Sequence, residues 1–138
     1  MNLPSDGLLH DIFGLDTIAV IGCSTNPAKA AHNIPKYMHE HGYTIIPINP
    51  HTTENIFDQV TYNSITEVPV KIDMVNIFRP PSEIPDVVDA ILNRDDSNIL
   101  WMQLGISHPE AAKLAESQGR IVIQDECLMV EHRRIMGI

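Results

Sequence analysis

The sequence predicts a single α/β domain, an open and mostly parallel sheet with helices on both faces. Three observations carry that expectation. Five short runs rich in β-branched residues occur at 17–22, 44–48, 73–78, 98–104 and 120–124. They are continuously apolar rather than alternating, as strands buried on both faces are. Helix-forming segments separate them, and successive runs start 20-odd residues apart, the length of a right-handed βαβ crossover. Together these describe a Rossmann-like sheet.

Each element has its own local reason. Residues 1–15 read as an amphipathic lead-in helix in which Leu8, Leu9, Ile12 and Phe13 share one face. The first strand ends at Gly22. The next helix, 28–41, is rich in Ala, Lys, Met and His and closes at Gly42, a suitable C′ residue. Pro27 fits its first turn, where a missing N–H costs nothing. A weaker run at 59–62 reads as a short edge strand. The helix at 82–92 follows Pro80-Pro81. The helix at 107–117 has Ser107 as cap and Glu110 to complete a capping box, and it ends before Gly119. The last helix, 125–134, has an Asp125 start and an Arg133-Arg134 finish that match the helix dipole.

Composition bounds the function. The chain has 138 residues, 43% of them hydrophobic, and fits one domain spanning 1–138. Its two cysteines, Cys23 and Cys127, form neither a disulfide framework nor a zinc spacing, which favours a reducing compartment. The N-terminus has no signal-peptide pattern. No apolar run approaches the roughly 20 residues that span a bilayer. The expectation is a soluble cytoplasmic protein away from membranes. A net charge of -9 argues against nucleic-acid binding but leaves a local anion pocket open.

In such a sheet, ligands sit at the carboxyl ends of the strands, where strand order reverses. Three stretches qualify. The loop Gly22-Cys23-Ser24-Thr25-Asn26-Pro27 offers hydroxyls and free amides at a helix start, with Lys29 to add positive charge. It matches only the first glycine of G-x-G-x-x-G, and a simple capped turn is its plain alternative. Phe78-Arg79 places an arginine at the mouth of the crevice, able to meet a phosphate or pair with Glu83. Gln103 and Gly105 follow the next strand. The second strand ends in Asn49-Pro50-His51, with no acidic residue before Glu54. A nicotinamide dinucleotide site usually has a carboxylate there for the ribose; this one would not repel a ribose phosphate.

At these residues the sequence resembles the small stand-alone CoA-binding proteins. Their domain also occurs in the succinyl-CoA synthetase α subunit and in ADP-forming acyl-CoA synthetases. The matching stretches are Ile18–Ser24 with Asn26-Pro27, Lys36-Tyr37-Met38 and Gly42-Tyr43, Ile46–Pro50, Asp73–Pro80, Trp101–Ile106 and Asp125–Arg134. The Trp101-Met102-Gln103-Leu104-Gly105 and Glu131-His132-Arg133 segments are the most specific. The resemblance implies a coenzyme A or acyl-CoA site built from Gly22, Cys23, Ser24, Thr25 and Asn26, with Lys29 near the phosphates. It also implies contributions from Asn49, Pro50, Phe78, Arg79, Gln103 and Gly105. One departure is Ala31-His32, where relatives often carry Ser-Tyr. The synthetases add a phosphorylated histidine and further domains that 138 residues do not hold, so synthetase activity does not carry over.

Three functional classes follow. The first is a non-catalytic CoA carrier, sensor or partner module, with a separate ligase subunit as one possible partner and oligomers left open. The second is a nucleotide-dependent enzyme of the NAD type, for which no acid–base set is visible: Asp73 lies at the wrong strand end, His108 is near a helix start and His132 lies between Glu131 and Arg133. The third is thiol exchange with CoA through Cys127, in the first turn of the last helix, or through Cys23. A metal site is not expected, because the seven histidines are scattered.

Overall fold

Continuous apolar runs demand burial on both faces, and the strands they form obtain it. In the computed structural model, which describes residues 3–138, the five strands are β1 (Thr17–Ile21), β2 (Thr44–Ile48), β3 (Met74–Ile77), β4 (Ile99–Met102) and β5 (Ile121–Ile123). All pair in parallel, in the order β2-β1-β3-β4-β5. Ile18 stands beside Ile45 on one side and Met74 on the other.

Side chains alternate between the two faces. Ala19, Ile46, Val75, Ile77, Leu100 and Met102 pack under α3 (Ile84–Leu92) and α4 (Pro109–Ser117). Ile18, Val20, Ile45, Met74, Trp101 and Ile123 pack under α1 (Asp6–Phe13), α2 (Ala30–Glu40) and α5 (Leu128–Met136). The Trp101 indole is fully buried and donates to the Glu126 carbonyl at 2.8 Å.

The lead-in helix is part of this second layer. Leu9, Ile12 and Phe13 are buried, whereas Leu8 is 36% exposed, so the apolar face is narrower than expected. Phe13 packs against Trp101 and edge-on to His132. His132 is itself buried and shares a 2.8 Å hydrogen bond with the Tyr37 hydroxyl. Burial, helped by neighbouring His41, pushes its pKa down and keeps it neutral. Arg134 then links α5 to α1, pairing with Glu131 at 2.8 Å and Asp6 at 3.0 Å.

The run 59–62, the starts of α2 and α5 and the cap of α4 depart from the sequence reading, each for a tertiary or capping reason. The run 59–62 is not a strand: Tyr62 makes a lone parallel bridge to Ile48, and Gln59 bonds back to Ile56 across a tight turn. That turn holds Phe57 and Asp58 at positive φ. The helix expected from residue 28 starts at Ala30, so Pro27 lies in the preceding turn. His108 caps α4 instead of Ser107, its Nδ1 accepting the Ala111 N–H at 3.1 Å. The last helix starts at Leu128, with Cys127 as N-cap. Asp125 adopts φ 57° and accepts the Gly105 N–H at 2.6 Å.

One polar cluster holds the irregular chain that precedes β3. Arg94, just past α3, donates to the carbonyls of Ile65, Val68 and Val70 at 2.8–2.9 Å and pairs with Asp96 at 2.8 Å. Asp96 also accepts from the Ile72 amide and the Ser97 hydroxyl. The cluster clamps the irregular 64–72 segment onto the sheet. Burial raises the Asp96 carboxyl, but the hydrogen bonds from Arg94, Ile72 and Ser97 outweigh that and hold it at about 2. A depressed carboxylate pKa stabilises the fold above its unfolded value, and that contribution is lost as pH falls through the folded value. Asp96→Asn is therefore expected to cost about 1–3 kcal/mol near neutral pH. In urea melts the gap to the parent should close between about pH 4 and pH 2; a gap constant over that window contradicts the assignment.

Candidate functional site

The chain leaves β1 for β2 on one side and returns to β3 on the other. This is the topological switch point, where the loops after two neighbouring strands part and open a crevice. Gly22 stands at its base with φ +85°. A Cβ there would lie 2.7 Å from the Phe78 carbonyl oxygen and 3.1 Å from Arg79 Cδ. Glycine thus lets the loops after β1 and β3 touch. The Gly22 N–H donates to Ile48 O and the Phe78 N–H to Ile21 O, both at 2.9 Å, knitting three strand ends together.

Past Gly22 the loop is folded by its own polar side chains. Ser24 Oγ accepts the Asn26 N–H at 3.0 Å, and Asn26 Oδ1 accepts the Ala28 N–H at 2.9 Å. The Lys29 N–H closes the turn on Asn26 O at 3.0 Å. Two side chains from outside hold the loop carbonyls: Asn49 Nδ2 donates to Cys23 O at 2.9 Å, and His32 Nδ1 to Ser24 O at 2.6 Å. The Ser24 N–H donates to Ala31 O at 3.0 Å. Among the described residues, the amides of Thr25, Ala30 and Ala31 are left without an acceptor in the chain. With the exposed Lys29 beside them, they make a locally positive loop in an acidic protein.

A cavity of about 770 Å³ opens beside this loop, within the range of small-molecule and cofactor sites. Its apolar part is lined by Ile21, Ile48, Ile65, Val87, Ala90 and Ile106. Of the residues singled out from sequence, Gly22, Ser24, Lys29, Asn49, Pro50, Phe78 and Arg79 line it. Arg79 is engaged with Glu83 in a two-pronged pair, Nε to Oε1 at 3.0 Å and the second nitrogen to Oε2 at 2.7 Å. That hydrogen-bonded pairing holds the Glu83 carboxyl below its ordinary range.

Other singled-out residues do not line the cavity. Thr25 and Asn26 lie on the loop outside its lining, and Cys23 is fully buried beneath it. Burial pushes the Cys23 thiol up to about 12 against the lowering effect of the Ser24 backbone, so it stays protonated. Gln103 is buried, its Oε1 accepting from Asn76 Nδ2 and the Leu128 amide. Gly105 is tied to Asp125. Cys127 is half-buried among the residues packed under α5. Asp73 pins the far end of the sheet, accepting the Asp16 and Thr17 amides.

Sequence reasoning missed the opposite wall, apart from Glu83, which it named only as a partner for Arg79. Glu83, Asp86, Val87 and Ala90 face the cavity from the start and middle of α3, and Asn63, Ser64 and Ile65 face it from the clamped segment. The i, i+3, i+4, i+7 spacing on α3 was a readable signal. His32 was visible only as a departure at Ala31-His32. Among the described residues no cluster of His, Cys, Asp and Glu could hold a metal ion, and no helix is long and apolar enough to cross a membrane.

The chain matches the model of the CoA binding domain over residues 16–133. It belongs to that family. Its relatives fall into two groups, those matched over nearly their whole length and larger enzymes matched over one segment. An uncharacterized protein of Bacillus subtilis, YneT, is 36% identical over 133 residues, covering 96% of this chain and 97% of its own. The ADP-forming acetate–CoA ligase II of Archaeoglobus fulgidus is 29% identical over 116 residues, but the match spans only 17% of that enzyme. A solved structure from Thermus thermophilus superposes with a TM-score of 0.92 at 35% identity, covering 96% of this chain and 99% of that one. A hypothetical protein from Pyrococcus horikoshii gives 0.91 at 30% identity, with 97% and 94% covered.

The Gly22 contact predicts the outcome of a paired substitution. Gly42 also has positive φ, +96°, but a Cβ there meets nothing within 4 Å. Gly42→Ala should therefore cost only the left-handed strain, about 1 kcal/mol. Gly22→Ala adds a clash with a backbone oxygen and should cost at least about 2 kcal/mol. Thermal denaturation of both variants reads the difference; equal losses would refute the close approach.

Proposed function

We propose that the protein binds coenzyme A or an acyl-CoA in the cavity beside the Gly22 loop. The observation that carries this reading is the coincidence of that cavity with the switch point, in a chain of the CoA-binding family. The residues present fit such a ligand. Gly22 lines the cavity and, by letting the loops after β1 and β3 touch, sets its floor. The amides of Thr25, Ala30 and Ala31, with Lys29, suit the phosphates, and Arg79 can add a second cation by leaving Glu83. The apolar lining from Ile48, Ile65, Val87 and Ala90 suits the uncharged parts of the molecule. When bound, the ligand would supply only a thioester or thiol group.

A dinucleotide enzyme is less well supported. At the end of β2 the Asn49 side chain is committed to Cys23 O and the His51 amide, and no carboxylate stands there for a ribose. His108 and His132 are used for capping and packing. Thiol exchange with CoA also loses support, because neither cysteine lines the cavity. The reading that remains is a carrier, sensor or partner module. The similarity to one segment of an acetate–CoA ligase supports a separately encoded ligase subunit as one such partner. The two free thiols suit a reducing, cytoplasmic setting.

Binding to the native state alone raises Tm, and a roughly 100-fold excess over Kd stabilises by about 2.7 kcal/mol. CoA should raise Tm more than NAD or ATP at equal concentration; equal or absent shifts for all three would sink the proposal. Lys29→Ala should weaken CoA binding about 5-fold at low salt, an effect that shrinks as salt screens the exposed charge. Calorimetric titration at two ionic strengths checks it, and a salt-independent loss would show that Lys29 acts through the fold instead.

A further inference from the structure

Pro35 lies in the interior of α2. A proline there lacks the N–H that would bond the carbonyl four residues earlier, and its ring crowds that carbonyl off the helix axis. The carbonyl concerned belongs to Ala31. It is not orphaned, because it accepts the Ser24 N–H from the Gly22 loop at 3.0 Å. The next residue, His32, donates from Nδ1 to Ser24 O at 2.6 Å. Both main-chain groups of Ser24 are therefore held by the first turn of α2, at a residue that lines the cavity.

We propose that Pro35 is a positioning residue for the anion-binding loop: by withholding a helical N–H it reserves the Ala31 carbonyl for Ser24. His32 completes the device. In a trans peptide the C=O and the following N–H point in opposite directions. Holding Ser24 O at His32 thus turns the Thr25 N–H away from that side chain, leaving it free for a ligand. The backbone donors are set before any ligand arrives, which lowers the ordering cost of binding. An N–H at position 35 would compete for the Ala31 oxygen and let the loop drift. This inference rests on the CoA reading for the identity of the ligand, but not for the tether itself.

The test is Pro35→Ala, because a helix interior tolerates Ala far better than Pro. Ile34→Val is the control: it removes a buried methyl group from the same turn without adding a backbone donor. In Pro35→Ala the Ser24 amide should exchange with solvent about 10-fold faster. Its Kd for CoA should rise about 5-fold while Tm stays at or above the parent's. Ile34→Val should leave the CoA affinity unchanged. An unchanged Ser24 exchange rate, an unchanged CoA affinity in Pro35→Ala, or an equal loss in Ile34→Val overturns the proposal. A parent protein that does not bind CoA defeats the ligand reading instead, while the exchange rate still decides the tether.

Discussion

The structure turns on one contact, that between the bare Cα of Gly22 and the carbonyl of Phe78. Parallel strands β1 and β3 must part at their carboxyl ends, because their loops run to opposite faces of the sheet. The distance at which they part decides whether a crevice forms or a gap. With no side chain at Gly22 the two loops touch at their base and separate above it. The flanking amides of Gly22 and Phe78 continue the ladder to the last residue. The crevice thus begins where the sheet's hydrogen bonds end, and everything that lines it is referenced to that point.

Around this base, polar side chains do what a glycine-rich loop does elsewhere by shape alone. Asn49 and His32 hold the carbonyls of Cys23 and Ser24, which leaves specific amides unpaired. Arg94 and Asp96 act at a distance, holding the 64–72 segment against the sheet so that Ser64 and Ile65 face the crevice. Both arrangements spend side-chain hydrogen bonds on backbone groups, which stiffens irregular segments that have no ladder of their own. Irregular chain is thereby held as the walls of the crevice.

Much of this was legible in the residues. The five strands were readable because burial on both faces leaves unbroken apolar runs, and β-branched residues mark them. The positions after β1, β2 and β3 were readable because strand order dictates where a crevice opens. Helix starts were less legible. Asp125 looks like an N-cap, but its carboxylate is taken by the Gly105 amide of another loop, and the helix waits until Leu128. His108 displaces Ser107 because an imidazole nitrogen can also accept an N–H. Gln103 follows the same strand-end rule as Arg79, yet it turns inward to satisfy Asn76 and Leu128. Local pattern locates a strand end; which way its side chain turns depends on unpaired groups far away in sequence.

The Arg79–Glu83 pair has a consequence for the direction of the cavity's arginine. The two residues flank Pro80-Pro81, so their two-pronged contact closes a short ring of chain between the end of β3 and the start of α3. Both side chains are part-exposed, at 37% and 47%, so the pair adds little to stability and is screened by salt. What it supplies is orientation: a flexible side chain at the cavity wall is given one preferred heading by a carboxylate four residues away.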